Sequence, residues 1–454
     1  MTNVANLKKP NRHSEDLITE DGTAQRFASR YVNRLRYCHD SRAWFEWDGA
    51  LWRENRTGLA FQWARELTRG LVEAEPDRVR YIASKTSFAS GVERFARTDP
   101  LLAVTSERWD CDPYLLGTPS GTVELRTGRL LAADPRDGIT KSTAVAPSTN
   151  AACPLWLGFL DETTGGDAAL MRFLQQFAGY ALTGDIKEHA LLFGYGSGGN
   201  GKSVLLNTVS GIIGDYARTA AMDTFAASIG DKHSTDMAML RGARLVTASE
   251  TEEGRAWAEA KIKTLTGGDE ITARFMRCDN FTFRPTFKLF IVGNHRPILR
   301  NVDDAARRRF NIVPFNRQPP RPDRDLEAKL KVEWPGILRW MIEGCLDWQT
   351  YGLVRPTIVL NATAQYFKDQ DIFGQWLDEE CDAEPGNPHK AEGTSQLFTS
   401  WKSFSKQAGE DAGTTMAFAE NLLRRGFVKA RTNSMGRHYV GLRLKQRPCH
   451  HDGS

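Results

Sequence analysis

The sequence has few of the features that mark secreted, zinc-bound or membrane proteins. It contains only seven cysteines in 454 residues, an odd number, and no two of them form a C-x-x-C pair. We therefore expect reduced thiols, without a disulfide or zinc framework. No apolar run approaches the roughly 20 residues that span a bilayer. The polar N-terminus also has no signal-peptide core. These absences predict a cytoplasmic protein without a membrane partner.

The chain also has little excess charge of either sign. Its 60 lysines and arginines nearly balance its 56 aspartates and glutamates, which leaves a formal net charge of +4. Such a small excess does not create a general field for polyanions, so any contact with nucleic acid must come from local basic clusters. The length predicts two to four domains at roughly 100–200 residues each, and a hydrophobic content of 41% suffices for their cores.

What is present is a glycine loop between a short apolar run and a helical pattern. Residues 196–203 match the phosphate-binding pattern G-x-x-x-x-G-K-[ST] in full. Backbone N–H groups of such a loop, together with the helix N-terminus, bind phosphate oxygens. Lys202 would reach the β- and γ-phosphates, and the Ser203 hydroxyl would ligate Mg²⁺. The loop thus predicts ATP and Mg²⁺ as ligands, bound by Gly196, Ser197, Gly198, Gly199, Asn200, Gly201, Lys202 and Ser203.

Two apolar strands further along the chain end in polar side chains. The first ends at Glu250 and Glu252, and a carboxylate there can hold Mg²⁺ and position the attacking water. The second, residues 287–293, ends at Asn294, whose amide can hydrogen-bond both a water and a phosphate oxygen. The alternatives are a solvated acidic loop after the first strand and a turn-capping Asn after the second.

Three consecutive arginines, Arg307, Arg308 and Arg309, precede the apolar strand 310–315. This is more positive charge than solubility needs. An arginine finger, a guanidinium inserted into a neighbouring subunit's site, stabilises the charge of a phosphoryl transition state. A solvated basic turn is the alternative for at least one of the three.

Between the two acid- and amide-terminated strands lies a candidate hairpin, with residues 271–276 and 281–283 as its arms. Arg274, Phe275 and Arg277 would lie near its tip. Basic and aromatic side chains together are the combination that proteins use on single-stranded nucleic acid. The alternative is an exposed charged loop.

Taken in order, these motifs resemble those of superfamily 3 helicases, specifically the helicase half of phage, plasmid and poxvirus primase-helicases. The matching stretches are residues 196–203, 245–252, 263–277, 287–295 and 303–315. Residues 118–128 and the helical run before the glycine loop resemble the collar region of that group, so the resemblance covers most of residues 25–380. It implies an AAA+-type ring, usually a hexamer, with ATP at the subunit interfaces and DNA through the centre.

The resemblance also implies roles around the nucleotide. Lys202 and Ser203 match the phosphate and Mg²⁺ ligands, Glu250 matches the strand-end acid at the metal, and Asn294 matches the sensor. Many members of the group have adjacent acids at the strand end, whereas Glu250 and Glu252 are separated here by one residue. Which of the two activates water therefore stays open.

Further residues match the DNA-gripping and finger positions of the group. Lys263 matches the basic residue ahead of the DNA-binding hairpin. Arg309 matches the finger because it directly precedes the apolar strand, and Arg308 is the alternative. Larger relatives carry a primase-polymerase domain ahead of the collar. This chain begins almost at the collar, so we expect no primer synthesis from it and a separate primase or polymerase as a partner.

The expected fold class is α/β, an AAA+-type P-loop core with an N-terminal α+β collar and a C-terminal winged-helix-like domain. The boundaries are a disordered tail 1–24, a collar-type domain 25–150, an ATPase domain 151–350 and a C-terminal helical and winged-helix-like domain 351–454. Trp44, Trp47 and Trp52 flank an Asp-Gly turn. We interpret them as hairpin packing residues rather than base-stacking ones.

The C-terminal part has the order helix, helix, hairpin and carries a group of basic residues. They are Arg424, Arg425, Lys429, Arg431, Arg437, Arg443 and Lys445. Such clustering suits a module that contacts phosphates, and an ordinary charged surface is the alternative.

The sequence therefore favours an ATP-dependent DNA helicase that acts as a homo-hexameric ring in the replication of a phage, plasmid or other mobile element. Its DNA would be a single strand in the central channel and the duplex of a fork. One alternative is a P-loop ATPase that remodels or loads a replication partner without unwinding DNA. Another is an origin-binding module that uses ATP only to assemble.

Overall fold

The computed structural model describes residues 18–227, 234–250, 256–276, 279–299, 303–319 and 322–445. Within these ranges, every helix is too short or too polar to cross a membrane.

The N-terminal unit is a small α+β domain. Its helices and strands are α1 (Glu20–Tyr31), β1 (Leu35–Cys38), β2 (Ala43–Trp47), β3 (Trp52–Asn55), α2 (Leu59–Leu71), α3 (Asp77–Ala83), α4 (Thr86–Ala96) and β4 (Ala103–Val104). The sheet order is β3-β2-β1-β4. Helix α1 begins at Glu20, because the Thr19 side chain accepts a hydrogen bond from Gly22 N–H and caps it.

The β2–β3 hairpin turns at the Asp-Gly pair, as the sequence predicts. Asp48 Oδ1 accepts hydrogen bonds from the N–H groups of Ala50 and Leu51. Trp44 and Trp52 are buried, and Trp47 packs on Trp52 with the ring centroids 5.6 Å apart. The interpretation of these tryptophans as packing residues is confirmed.

A three-stranded meander connects this unit to the next. Its strands are β5 (Leu115–Thr118), β6 (Gly121–Glu124) and β7 (Arg129–Leu131), and neighbours pair antiparallel. The turn into β7 ends at Gly128, which has a positive φ of 70°.

The central unit is a five-stranded parallel sheet with helices around it. Its elements are α5 (Pro154–Thr164), α6 (Ala168–Tyr180), β8 (Leu191–Tyr195), α7 (Lys202–Ile213), β9 (Ala217–Thr219), α8 (Ser234–Ala238), β10 (Leu245–Glu250), α9 (Glu259–Gly267), β11 (Ile271–Ala273), β12 (Phe281–Phe283), β13 (Lys288–Gly293), α10 (Asp304–Arg309), β14 (Phe310–Pro314) and α11 (Leu326–Tyr351). The sheet order is β14-β8-β13-β10-β9, and every pairing in it is parallel.

Helices α6 and α11 pack with their backbones in close approach. A Cβ on Gly179 would lie 2.1 Å from the backbone N of Cys345, and one on Gly344 would lie 2.2 Å from the carbonyl O of Gln175. Arg172 on α6 also forms an ion pair with Asp347 on α11 at 2.7 Å. Only glycine fits at these two contact points, so α11 is held against the helix that leads into β8.

Two buried cations tie the central sheet to its neighbours at the amino ends of β10 and β13. Arg244 donates to the carbonyls of Leu182 and Leu115 at 2.6 and 2.7 Å, which joins the meander to the sheet. Lys288 donates to the carbonyls of Thr183 and Asp185. Burial lowers the pKa of Lys288 well below its usual value.

The C-terminal unit has helices α12 (Thr357–Gln370), α13 (Ile372–Glu380), α14 (Thr394–Gln407) and α15 (Thr415–Arg424), and strands β15 (Cys381–Ala383), β16 (Ala391–Gly393), β17 (Val428–Thr432), β18 (Gly436–Val440) and β19 (Leu442–Leu444). The predicted helix, helix, hairpin order is observed in α14, α15 and β17–β18. Arg425 pairs with Asp371 at 2.6 Å, and this contact ties the end of α15 to the start of α13.

Candidate functional site

The carboxyl ends of four strands meet at one edge of the central sheet. In the parallel register, Glu250 of β10 pairs with Gly293 of β13, Gly293 pairs with Tyr195 of β8, and Tyr195 pairs with Pro314 of β14. The glycine loop follows Tyr195 and Asn294 follows Gly293, so both stand at the same edge as the end of β10. Neighbouring strands are about 4.8 Å apart. The register therefore brings the loop, Asn294 and the backbone of Glu250 together.

The glycine loop adopts a conformation that other residues would strain. Gly196, Gly198, Gly199 and Gly201 all have positive φ angles. A Cβ on Gly196 would lie 2.1 Å from the carbonyl O of Phe315. The loop is therefore bent tightly against the end of β14, and its backbone is free to face a ligand.

Lys202, the first residue of α7, is a buried cation with neutral partners. Its side chain is only 5% exposed, and Nζ donates to Gly196 O at 2.7 Å and to Asn200 Oδ1 at 2.8 Å. Burial lowers the pKa of Lys202. Among the described residues both partners of this ammonium are neutral, and such a cation at a helix N-terminus suits a bound anion.

Asn200 connects this lysine to the sheet. Its Nδ2 donates to Phe315 O at 2.6 Å, while its Oδ1 accepts from Lys202. The side chain is buried. Both ends of the amide are therefore used, and the position of Lys202 depends on the chain just after β14.

A cavity of about 690 Å³ opens in front of the loop. Ser203 and Asn294 lie on its polar side, while Phe159 and Leu326 contribute apolar surface from α5 and α11. The size is in the range of small-molecule sites, and an apolar wall facing a few convergent polar groups is their usual composition.

The cavity contains a charged residue that the sequence analysis did not select. Arg317 lines it and lies three residues past the end of β14. Its position after a strand that ends at the loop is the signal that could have identified it. No pattern in the sequence pointed to Phe159, because this residue meets the loop through the packing of helix α5 and does not follow a strand of the sheet.

The arginine run lies at the opposite edge of the sheet. Helix α10 ends at Arg309, and the next residue, Phe310, pairs with Leu191 at the first position of β8. Five residues of β8 separate this edge from the loop, a distance of about 13 Å along the strand. The structure therefore does not bring Arg308 or Arg309 to the glycine loop of the same chain.

The arginines differ in their surroundings. Arg309 Nε donates to Thr266 Oγ1 at 3.2 Å and its Nη1 donates to Ala305 O at 2.8 Å. Arg308 is exposed, and its Nε donates to Asp304 O at 3.3 Å. Arg307 is exposed with its guanidinium 5.4 Å from the ring centre of Phe367. These contacts do not choose between Arg308 and Arg309 as the finger.

Lys263 lies on α9 and forms an ion pair with Asp303, the residue that caps α10. Burial would raise the pKa of Asp303, but the hydrogen bonds from Lys263 and from Ala306 N–H lower it below its ordinary value. In this arrangement Lys263 holds the start of the arginine helix. Its predicted contact with DNA stays a prediction.

The hairpin predicted between the two strands is present as β11 and β12, with Ala273 paired to Phe281. Arg274 is exposed at the tip, and Phe275 is 40% exposed with its ring stacked 5.5 Å from that of Phe281. The tip therefore offers a charge and an aromatic face.

Two of the candidate residues, Glu252 and Arg277, lie outside the described residues. In the part of the chain that the structure describes, no three His, Cys, Asp or Glu side chains cluster as a preformed metal site. A P-loop metal site needs fewer protein ligands, because phosphate oxygens supply the others.

Parts of the chain match two family models and two curated viral proteins. Residues 24–165 match the family model described as D5 N terminal like, and residues 194–309 match a family of unknown function, DUF5906. The chain is 24% identical over 265 residues to "Putative helicase 022R" of Frog virus 3 (isolate Goorha), and 25% identical over 293 residues to "Putative helicase L207/L206" of Acanthamoeba polyphaga mimivirus.

These alignments cover 54% and 59% of this chain but only 27% and 30% of the two viral proteins, so the chain spans less than a third of the curated relatives it matches. A solved structure, the apo C-terminal region of NrS-1, is similar over 90% of this chain and 95% of its own, with 10% identity and a TM-score of 0.49. The chain is therefore similar to the D5 N-terminal family in its N-terminal part, and to two viral proteins named as putative helicases over somewhat more than half of its length.

The site geometry predicts that Asn200→Ala destabilises the protein. The substitution leaves the buried Phe315 carbonyl and the Lys202 ammonium each without one partner. We expect the free energy of unfolding, measured by chemical denaturation, to fall by about 1–3 kcal/mol.

Gln318→Ala is the matched control, because its amide also donates to a loop carbonyl, Gly198 O, but at an exposed position. Its effect should stay within about 0.5 kcal/mol. Equal effects of the two substitutions would show that Asn200 does not anchor the loop.

Proposed function

We propose that the chain acts as an ATP-dependent DNA helicase of the superfamily 3 type, working as a ring in the replication of a phage, plasmid or other mobile element. The observation that carries this proposal is the shared sheet edge, where the glycine loop, Asn294 and Glu250 end neighbouring strands. The two helicase-named viral relatives support DNA as the substrate. The proposed fold is an AAA+-type core between a collar domain and a winged-helix-like domain.

The residues present fit a nucleoside triphosphate with Mg²⁺. The loop N–H groups and Lys202 bind the phosphates, because Lys202 is a buried cation whose partners among the described residues are neutral. The base would lie toward Phe159 and Leu326, which line the same cavity. Ser203 and Glu250 would hold Mg²⁺, which neutralises phosphate charge when bound.

Hydrolysis needs an oriented water and a proton acceptor. The role assigned to Asn294 is a hydrogen bond to the water or to a phosphate oxygen, and its position after the strand beside the loop supports this role. Glu250 or Glu252 accepts the proton of that water.

The distance between the glycine loop and the arginines supports the proposed ring. Arg308 or Arg309 acts on a neighbouring copy's nucleotide, because about 13 Å of strand separates them from their own loop. A finger at a subunit interface implies a closed homo-oligomer with one repeated contact, and a hexamer is the proposed state. The ring grips a single strand in its central channel through the β11–β12 hairpin and meets the fork duplex. The proposed partner is a separate primase or polymerase. The proposed location is the cytoplasm.

Lys202→Ala tests the nucleotide site. ATP hydrolysis should fall by roughly 10²-fold or more, because the charge that binds the transferred phosphate is lost, while the circular dichroism spectrum stays that of the wild type. Asn207→Ala, on the exposed face of the same helix, is the control and should hydrolyse ATP normally. Near-normal hydrolysis by the Lys202 variant would refute the site.

Arg308→Ala and Arg309→Ala, made separately, test the finger. The variant that removes it should bind nucleotide normally but hydrolyse it roughly 10³-fold more slowly. Mixed with Lys202→Ala subunits, it should regain activity, because some interfaces then combine an intact loop with an intact arginine.

Arg307→Ala is the matched control from the same run and should hydrolyse ATP at the wild-type rate. If both Arg308→Ala and Arg309→Ala also do so, no finger lies in this run.

Arg274→Ala combined with Arg277→Ala tests the hairpin. Basal ATP hydrolysis should persist, because the described residues of the β11–β12 tip do not line the loop cavity. Unwinding of forked DNA should be lost, and the slope of log K against log salt for single strands should fall by about 0.7 for each lost phosphate contact.

The paired control is Arg69→Ala with Arg78→Ala, two exposed arginines on α2 and α3. Unwinding at the normal rate by the hairpin variant would favour the alternative, an ATPase that remodels a partner protein.

A further inference from the structure

A second cavity, of about 580 Å³, lies between the N-terminal unit and the amino edge of the central sheet. Its residues come from both units. Phe45, Trp109 and Lys141 line one side, and Arg241 and Arg284 line the other. We call this cavity the interdomain cleft. None of the described residues that line the loop cavity also lines this cleft.

The wall from the N-terminal unit is aromatic. The rings of Phe45 and Trp109 pack with their centroids 4.7 Å apart, and both side chains are only partly buried. Trp44 and Trp52 on the same hairpin are buried. Phe45 and Trp109 are thus the aromatic residues of this region that meet the cleft.

The wall from the central unit is basic. Arg241 and Arg284 are exposed, and Arg244 lies at the base of the cleft, bound to carbonyls. Lys141 is neutralised by Asp110 at 2.8 Å. Burial alone would raise the pKa of Asp110, but the charge and hydrogen bond of Lys141 help to bring this pKa below its ordinary value.

Two acids outside the lining offset part of this charge. The pKa of Asp40 is lowered, chiefly by the hydrogen bond from Ser106 N–H and in smaller part by the charge of Arg241. Asp40 therefore offsets part of the charge of Arg241. Glu270 pairs with Arg284 at 3.4 Å, but both side chains are largely exposed, so this pair is weak. Positive charge remains in excess.

The cleft continues from the hairpin that is proposed to grip DNA. Phe275 at the tip stacks on Phe281, and the Arg241 guanidinium lies 5.1 Å from the Phe281 ring centre. Phe283 and Arg284, at the hairpin base, line the cleft itself. Arg241 also donates to Ser106 Oγ of the N-terminal unit at 3.2 Å. A row of aromatic and arginine side chains therefore runs from the tip into the cleft.

We propose that the interdomain cleft binds unpaired nucleotides of a single strand, with the bases against Phe45 and Trp109 and the phosphates against Arg241 and Arg284. Aromatic faces combined with a basic groove are the means by which proteins hold single strands without reading sequence. This proposal rests on the proposed function in one respect, because the proposed function is the reason for choosing DNA as the strand.

The first test is photo-crosslinking of the full wild-type chain, without ATP, to an oligothymidylate carrying 5-iodouracil. Peptides containing Phe45 or Trp109 should crosslink, in addition to the hairpin peptide. Free thymidine monophosphate should not compete at equal nucleotide concentration. Crosslinks confined to the hairpin overturn the proposal. Equal competition by the mononucleotide also overturns it, because the cleft would then be a mononucleotide site.

The second test is the affinity for the oligothymidylate. Arg241→Gln with Arg284→Gln should lower the slope of log K against log salt by about 1.4, because two phosphate contacts are lost. Phe45→Leu should weaken binding roughly tenfold through lost stacking. Arg69→Gln with Arg78→Gln removes the same charge on α2 and α3 and should leave both quantities unchanged.

A slope and affinity equal to the wild type in both cleft variants, each shown to unfold like the wild type, overturn the proposal. If Phe45→Leu does not fold, the crosslinking map decides. Unwinding of forked DNA, measured in parallel, separates the two ideas. If the protein unwinds forked DNA but gives no crosslinks in the cleft, the cleft proposal is refuted and the helicase proposal stands. If the protein crosslinks in the cleft but does not unwind DNA, the cleft proposal stands and the proposed function is refuted.

Discussion

The parallel pairing of β8 with β13 is the constraint on which the candidate site depends. Parallel strands all point the same way, so their hydrogen-bond register also aligns the loops that follow them. Tyr195 pairs with Gly293, and Gly293 pairs with Glu250, so three loops start side by side. A slip of one residue in either pairing would move Asn294 away from the glycine loop and turn buried strand residues to the wrong face.

The same constraint separates the charges of this unit. The polar residues that follow the strands and suit a nucleotide lie at the carboxyl edge of the sheet. The arginines of α10 lie at the amino edge, together with the buried cations Arg244 and Lys288. Lys202 and Lys288 are both buried, and burial lowers the pKa of each. They differ in what they face. Lys288 is enclosed by backbone carbonyls, whereas Lys202 lines an open cavity in which an anion can offset the cost of its burial.

Helix α9 links the features that lie away from the nucleotide cavity. It precedes the hairpin in the chain, its Lys263 pairs with the cap of α10, and its Thr266 accepts a hydrogen bond from Arg309. The meander is joined to the amino edge of the sheet by the hydrogen bond from Arg244 to Leu115 O, so the interdomain cleft has a fixed floor.

Local patterns in the sequence were sufficient for the glycine loop, the β2–β3 and β11–β12 hairpins, the strands before Glu250 and Asn294, and the C-terminal order of helices and hairpin. Each depends on residues close in the chain, whose spacing and turn chemistry decide the backbone. Tertiary structure alone decided that Arg317 and Phe159 meet the loop, that Lys263 engages Asp303, and that Phe45 and Trp109 face Arg241 across a cleft. These contacts join stretches far apart in sequence, and no local spacing records them, because they follow from how the sheet and its helices pack.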